Sequence, residues 1–195
     1  MTTNRLYLSR TYLCGAMDRE PDGGVQWRRK ITPWLNSRGI IVMDPTDKPC
    51  DSGKENSVTR AIRQDAKHNG DFSLVIDDKE VRSVDLRMVD VTDFTIVNID
   101  LNSHPCGTYE ELFWANREKK PVLVRIEQGK TQAPDWLLWT LPHEHIFSNW
   151  EDMQTYIDHI AFGKDVDRMK RWIFFKFEAI TQAAINGFAD LRNGV

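Results

Sequence analysis

The feature that most restricts this fold is a run near the middle of the chain. Phe94-Thr95-Ile96-Val97-Asn98-Ile99-Asp100 is an apolar stretch with the length of a buried strand, and Pro121-Val122-Leu123-Val124-Arg125-Ile126 is another. Between them stands Gly107-Thr108-Tyr109-Glu110-Glu111-Leu112-Phe113-Trp114-Ala115, a helical segment behind a short polar loop. Strand, loop, helix and strand make a βαβ unit. In open parallel sheets, ligands bind at the carboxyl ends of the strands, where such loops lie. Glu111 is then placed in the first turn of a helix that opens toward a pocket, a position suited to a catalytic carboxylate. The same residues match a capping box, with Thr108 at the N-cap and Glu111 at N3, where both side chains satisfy free backbone N–H groups. Spacing alone leaves both readings open.

The flanking segments extend the alternation. Leu6 to Cys14 reads as a first strand, Gly15-Ala16-Met17 as the turn leaving it, and Asp18 to Gly24 as a loop. Val25 to Ser37 has helical spacing through Trp27, Ile31, Trp34 and Leu35, with Pro33 as a kink and Gly39 at the end. Ile40 to Met43 is a second strand, closed by Asp44-Pro45, and Thr46 to Gly53 is loop. Helices follow over Asn56–His68 and Asp78–Val91, the second turning Val81, Val84, Met88 and Val89 inward, then over Thr108–Glu118. Gln128 to Pro142 reads as loop with one apolar patch, Trp136 to Trp139, before a short edge strand at Ile146-Phe147. Ser148 or Asn149 caps a helix to about Ile160, and Asp165 to Leu191 is a long amphipathic helix. The expected architecture is α/β: a single-domain Rossmann-like or flavodoxin-like sandwich with a mostly parallel sheet of about five strands flanked by helices. Its core spans about residues 5–147, and C-terminal helices span about 148–195.

Composition removes several function classes. At 195 residues with a net charge of −3, and with Lys and Arg spread along the chain, nothing argues for a nucleic-acid-binding surface. Cys14, Cys50 and Cys106 are odd in number and form no CxxC pair, so a disulfide framework is not expected. The start has no apolar leader and no segment approaches about 18 apolar residues, so a soluble cytoplasmic protein with no membrane partner is expected. Seven tryptophans and nine phenylalanines, several of them in the last third, point to an aromatic core or a subunit interface there.

Three motifs then stand in order: Tyr12-Leu13-Cys14-Gly15-Ala16-Met17; Asp85-Leu86 with Asp93 eight positions after Asp85; and Gly107-Thr108-x-x-Glu111-Leu112-x-x-Ala115 followed by Lys120-Pro121-Val122. Together they resemble the nucleoside 2-deoxyribosyltransferase family, whose patterns are Tyr-Leu-Ala-Gly-Pro, an Asp before the third strand, and Gly-Thr-x-x-Glu-Leu-x-x-Ala with Lys-Pro-Val. Trp27-Arg28 and Asp44-Pro45 sit where family members carry similar residues. The resemblance covers about residues 5 to 126, and nothing comparable covers the last 65 or so.

The resemblance implies that Glu111 is a carboxylate nucleophile. It attacks the anomeric carbon of a (deoxy)ribonucleoside, expels the base and leaves a glycosyl ester that another base or water resolves. The chemistry suits the residue type, because a nearby carboxylate stabilises an oxocarbenium-like transition state before bonding to it. A helix N-terminus would favour the ionised form of Glu111. Asp85 matches the family's second carboxylate, which handles the proton on the departing base; by sequence alone it is equally a solvent-facing helix charge. Substrate-binding roles are implied for Tyr12, Gly15, Asp44, Asp93, Gly107 and Thr108. No metal or organic cofactor is implied, and the partners are a small nucleoside or nucleotide, a nucleobase and further copies of the chain in a homodimer or larger assembly.

One departure stands out. The family's Asp before Gly-Thr is missing from Asn102-Ser103-His104-Pro105-Cys106, leaving Asp100 and Ser103 as nearby stand-ins. Other constellations carry less. His143 and His145 flank Glu144 without a third metal ligand and read as a surface pair, and Cys106 reads as a small buried hydrophobe. Gly23-Gly24 is too short a signal for a phosphate loop, and the final helix reads as core or interface. Arg10, Arg19 and Arg28 are candidates to grip a 5′-phosphate, which would favour a hydrolase. Tyr12, Trp27, Tyr109 and Trp114 are candidates for an aromatic slot that would favour transfer to a base. A non-catalytic nucleotide sensor is the reading from a different class, and the presence of both Glu111 and Asp85 speaks against it.

Overall fold

Alternation along the strands builds two hydrophobic cores, one on each face of a sheet. A computed structural model of the chain describes residues 4–18, 20–50, 52–73, 79–163, 171, 172 and 182. Among these, the strands are β1 (Arg10–Gly15), β2 (Ile41–Met43), β3 (Phe94–Ile99), β4 (Val122–Ile126) and β5 (Ile146–Phe147). They form one sheet in the order β2-β1-β3-β4-β5, every pairing parallel. The helices are α1 (Val25–Ser37), α2 (Ser57–His68), α3 (Lys79–Val91), α4 (Cys106–Arg117), α5 (Asp135–Thr140) and α6 (Trp150–Phe162), with 3₁₀ turns at Lys130–Gln132 and His143–His145.

Successive strand residues point to opposite faces. Leu13, Ile96 and Leu123 therefore join Ile31 and Leu35 of α1 and Met153 and Ile157 of α6 in one core. Tyr12, Cys14, Val97 and Val124 join Met88 and Val89 of α3, Leu112 and Ala115 of α4 and Leu137 of α5 in the other. β3 is buried along its whole length, as a central parallel strand must be.

Several boundaries differ from the sequence expectation for identifiable reasons. β1 begins at Arg10 rather than Leu6, because Leu6 to Ser9 is a turn. Ser9 donates from both its amide (2.9 Å) and its hydroxyl (2.7 Å) to the Leu6 carbonyl, and Leu8 takes a φ of 63°. The turn still delivers Leu6 to the core. The apolar patch Trp136 to Trp139 coils into α5 rather than remaining loop. Of the two candidate caps for α6, Asn149 holds the position and its side chain accepts from the Asp152 amide at 2.8 Å.

Lys120 of the Lys-Pro-Val motif donates to the Val89 and Asp90 carbonyls, both at 2.6 Å. It thus satisfies the end of α3. The long helix expected over Asp165–Leu191 lies outside the described residues except at Arg171, Trp172 and Gln182. Arg171 and Trp172 are not helical, so the chain is not one uninterrupted helix across them. Trp172 is buried against Phe94, with ring centroids 5.2 Å apart.

Candidate active site

The carboxylate of Glu111 sits beneath α4 and against the sheet. α4 starts earlier than Thr108: the Tyr109 amide already bonds the Pro105 carbonyl at 3.0 Å, and Pro105 supplies no side-chain cap. Thr108 is therefore a buried interior residue of the helix rather than its cap, and Glu111 lies in the second turn rather than the first. The capping-box reading does not hold. Glu111 turns instead to β1, where Tyr12 and Cys14 share a face by their i, i+2 spacing. The Tyr12 hydroxyl donates to Oε1 at 2.9 Å and the Cys14 thiol donates to Oε2 at 3.0 Å.

Burial pushes the Glu111 carboxyl up to about 7. The charge of Asp85 adds to this, while the two hydrogen bonds and Arg28 act the other way. Desolvation, rather than the helix N-terminus expected to favour the anion, dominates its ionisation. Tyr12 and Cys14 are themselves pushed well above their ordinary values, first by burial and then by Glu111, so both remain protonated donors.

Asp85 faces the same side of the sheet from α3 and is largely shielded, which removes the reading of a solvent-facing helix charge. Its Oδ1 lies 2.8 Å from the ammonium of Lys48, a buried lysine that also donates to the Gly53 carbonyl at 2.7 Å. Burial raises the Asp85 carboxyl, and Lys48 opposes that shift. Lys48 had no signal in the sequence. It stands in a proline-flanked loop without periodicity, and only the fold brings that loop over α3.

Arg28 organises the neighbouring backbone. It is fully buried and donates to the carbonyls of Leu13 (3.1 Å), Gly24 (2.7 Å) and Gly15 (2.9 Å), with its Nε 3.7 Å from Asp44 Oδ1. It is thus committed to the fold and does not grip a phosphate. A side chain at Gly15 would put its Cβ 2.9 Å from the Trp27 ring and 3.1 Å from the Asn98 carbonyl. Gly24, at φ 73°, has no room beside Arg28 and the Ala16 carbonyl. Asp44 holds the loop after β2 by accepting from the Thr46 amide (2.8 Å) and hydroxyl (2.7 Å).

The fold therefore gathers Tyr12, Cys14, Glu111, Asp85 and the backbone of Thr108, with Gly15 and Asp44 as scaffolding linked through Arg28. It does not gather Asp93 or Gly107. Asp93 precedes β3 and pairs with Arg10, accepting from its amide at 2.7 Å, at the amino ends of the strands. That is about 16 Å of strand away from Gly15. Gly107 is exposed, with open space where a Cβ would be. The four aromatic candidates do not converge on one slot. Tyr12 lies under Glu111 and Trp27 lies on the opposite face, while Tyr109 stacks on Phe113 at 6.2 Å and Trp114 is exposed and donates to Asp90 at 2.8 Å. Arg19 lies outside the described residues.

A second feature was not legible in the sequence. A cleft of about 550 Å³ opens at the carboxyl ends of β1, β3 and β4, on the α1–α6 side. One wall is a layered stack. Trp27 and Trp150 lie 5.5 Å apart and 15° from parallel, with the Arg28 guanidinium 4.6 Å over Trp27 and that of Arg125 5.0 Å over Trp150. Glu20, Asp22, Asp100 and Glu127 line the rest. Partial burial, then Asp100, Asp22 and Glu127, raise the Glu20 carboxyl. Asp100 and Ser103, the stand-ins for the missing family Asp, belong to this region: Ser103 donates to the Asp100 carbonyl at 3.0 Å, and Asp100 accepts from Gln128 at 2.5 Å.

Two other expectations are corrected. His145 is a core residue rather than half of a surface pair; it bonds the Tyr156 hydroxyl at 2.9 Å, and burial lowers its pKa to about 4. Cys106 is exposed rather than buried. Among the described residues no helix is long and apolar enough to cross a membrane.

The class that this architecture defines is the nucleoside deoxyribosyltransferase-like fold. In particular, the chain is similar to a 2-deoxyribosyltransferase from Bacillus psychrosaccharolyticus, at 21% identity over 76% of this chain and 92% of that one, with a TM-score of 0.51. It is also similar to a CMP N-glycosidase from Clostridium botulinum (16% identity, 77% and 98% covered, TM-score 0.41) and to a conserved protein from Enterococcus faecalis V583 (12% identity, 79% and 88% covered, TM-score 0.42). No family model and no curated protein matches the chain. At 21% identity the likeness to the Bacillus enzyme establishes the fold alone, and the chemistry rests on the residues of this chain.

Proposed function

We propose that this chain is an N-glycoside enzyme that moves a (2-deoxy)ribosyl group between nucleobases through an ester on Glu111. The observation that carries the reading is the buried Glu111 carboxylate, held by two donors and sensing the charge of a second carboxylate, Asp85. In its ionised form Glu111 attacks the anomeric carbon as the bond to the base breaks. The bonding electrons leave with the base, where the Asp85–Lys48 pair supplies the proton that neutralises it. An incoming base, giving its ring N–H proton back to the Asp85–Lys48 pair, then attacks the same carbon and releases Glu111 as the carboxylate. Two inversions at one carbon retain the configuration. The burial that raises the Glu111 carboxyl also keeps water from the ester, which favours transfer over hydrolysis. The commitment of Arg28 to backbone carbonyls removes one of the arguments for a phosphate-gripping hydrolase.

The test is incubation with nucleosides and 5′-nucleotides, with and without a labelled free base, with products separated chromatographically. Transfer yields labelled nucleoside of retained β configuration. Free sugar or sugar phosphate alone, at every base concentration, would identify a hydrolase instead, and binding without any product would identify a sensor.

A further inference from the structure

The residue beside the nucleophile that calls for a role is Cys14. It is fully buried, and its Sγ lies 3.0 Å from Glu111 Oε2 and 3.4 Å from the carbonyl of Thr108. A thiol has one proton and here faces two acceptors, and the charged oxygen is the stronger of them. Burial and the neighbouring carboxylate keep the sulfur protonated, so it acts as a donor and not as a nucleophile. The groups facing Glu111 are Tyr12 and Cys14 on β1, Asp85 on α3 and Arg28 on α1. Of these, Tyr12 bonds Oε1 and Cys14 bonds Oε2, so the carboxylate is held at both ends.

We propose that Cys14 is a positioning residue for Glu111, donating its S–H to Oε2 while the nucleophile is an anion and turning to the Thr108 carbonyl when Glu111 becomes an ester. The inference rests on the reading of Glu111 as the nucleophile. The proton stays on sulfur throughout and no bond to sulfur forms or breaks. The second acceptor ensures that the buried thiol is not left unpaired when the carboxylate charge disappears. Without the thiol, Oε2 would lose its hydrogen-bond donor, and the anion would be harder to form and held at Oε1 only.

The experiment uses the full chain with Cys14→Ala and Cys14→Ser. Glutamate labelled with ¹³C at the carboxyl is titrated by NMR, the Glu111 signal being assigned by its loss in Glu111→Gln. The native midpoint is expected near 7. Cys14→Ala should raise it by about half a unit to one unit, and Cys14→Ser, a stronger donor, should lower it below the native value. The acidic limb of kcat/KM should move in the same directions, with the alanine variant regaining rate at high pH. A thiol that only fills space would change Tm and leave the midpoint in place. An unmoved midpoint in folded Cys14→Ala, or equal upward shifts in both variants, overturns the proposal. If the alanine variant does not fold, the serine variant decides, since an upward or absent shift contradicts donation. A native chain that cleaves no nucleoside would sink the N-glycoside reading instead, and leaves this titration unaffected.

Discussion

The two faces of the carboxyl edge of the sheet treat charge in opposite ways. On the α3–α4 side, one carboxylate is enclosed and given two neutral donors, so that burial governs its ionisation and moves it up to about 7. On the α1–α6 side, four carboxylates share an open cleft with two stacked tryptophans, each with a guanidinium over its ring. The first arrangement leaves a buried carboxyl near its ionisation point, while in the second partial burial and three neighbouring carboxylates raise Glu20. Volume alone points to the cleft on the α1–α6 side; charge and hydrogen bonding single out the carboxyl under α4. A perturbed carboxyl with named partners is the better guide to a site.

The sharpest test of that contrast is Glu111→Gln. Turnover should fall to the background of the assay while the fold persists. Stability should move the other way, with a calculable sign. The folded carboxyl ionises near 7 against an ordinary value of 4.5, so the unfolded chain loses its proton first. Native stability therefore declines as pH rises from about 4.5 to 7 and then levels, a loss of at most about 3 kcal/mol. The glutamine variant lacks this loss. Its melting temperature should match the native one near pH 5 and exceed it at pH 8. Equal melting temperatures at both pH values would show that Glu111 is not held in a desolvated site.

A smaller effect is expected at Asp85. A positioned acid contributes about 10²–10⁴-fold, so Asp85→Asn should slow release of an unactivated base by that order and release of nitrophenol far less. Equal slowing of both would reduce Asp85 to a structural or sugar-binding part.

The converse test is Gly15→Ala, which strikes the stack and spares the Glu111 carboxylate and its two donors. Its methyl meets the Trp27 ring and the Asn98 carbonyl, and an overpacked site of this kind typically costs about 1–3 kcal/mol. Thermal melts should show that loss, whereas the Glu111 titration midpoint should stay in place. A moved midpoint would mean that the two faces are coupled. The mildest expectation concerns assembly. Trp136 and Trp139 are exposed on α5, whose Leu137 packs into the core that contains Tyr12. A homodimer or larger even-numbered oligomer closing over these rings would shield the Glu111 side of the sheet further. Light scattering at micromolar concentration reads the mass directly, and a fully active monomer would exclude it.

The sequence by itself determined the parallel α/β architecture, because apolar runs of strand length at β3 and β4 around a helix leave few other ways to bury them. It also brought Glu111 and Asp85 forward, through spacing that resembles a known family. It could not distinguish a capping box from a nucleophile, since both need the same residues at the same separation. The start of α4 at Cys106 removes the capping box, by moving Glu111 one turn inward and aiming it at β1. Lys48 beside Asp85, the stacked tryptophans, and Arg28 closed around three carbonyls belong to the tertiary structure alone. Each joins segments that share no local pattern, so their meeting depends on strand order and on which face each strand turns inward. Cys14 lies between these cases. Its i, i+2 relation to Tyr12 is written in the strand period, but the carboxylate that gives the pair a purpose arrives from a helix almost a hundred residues away.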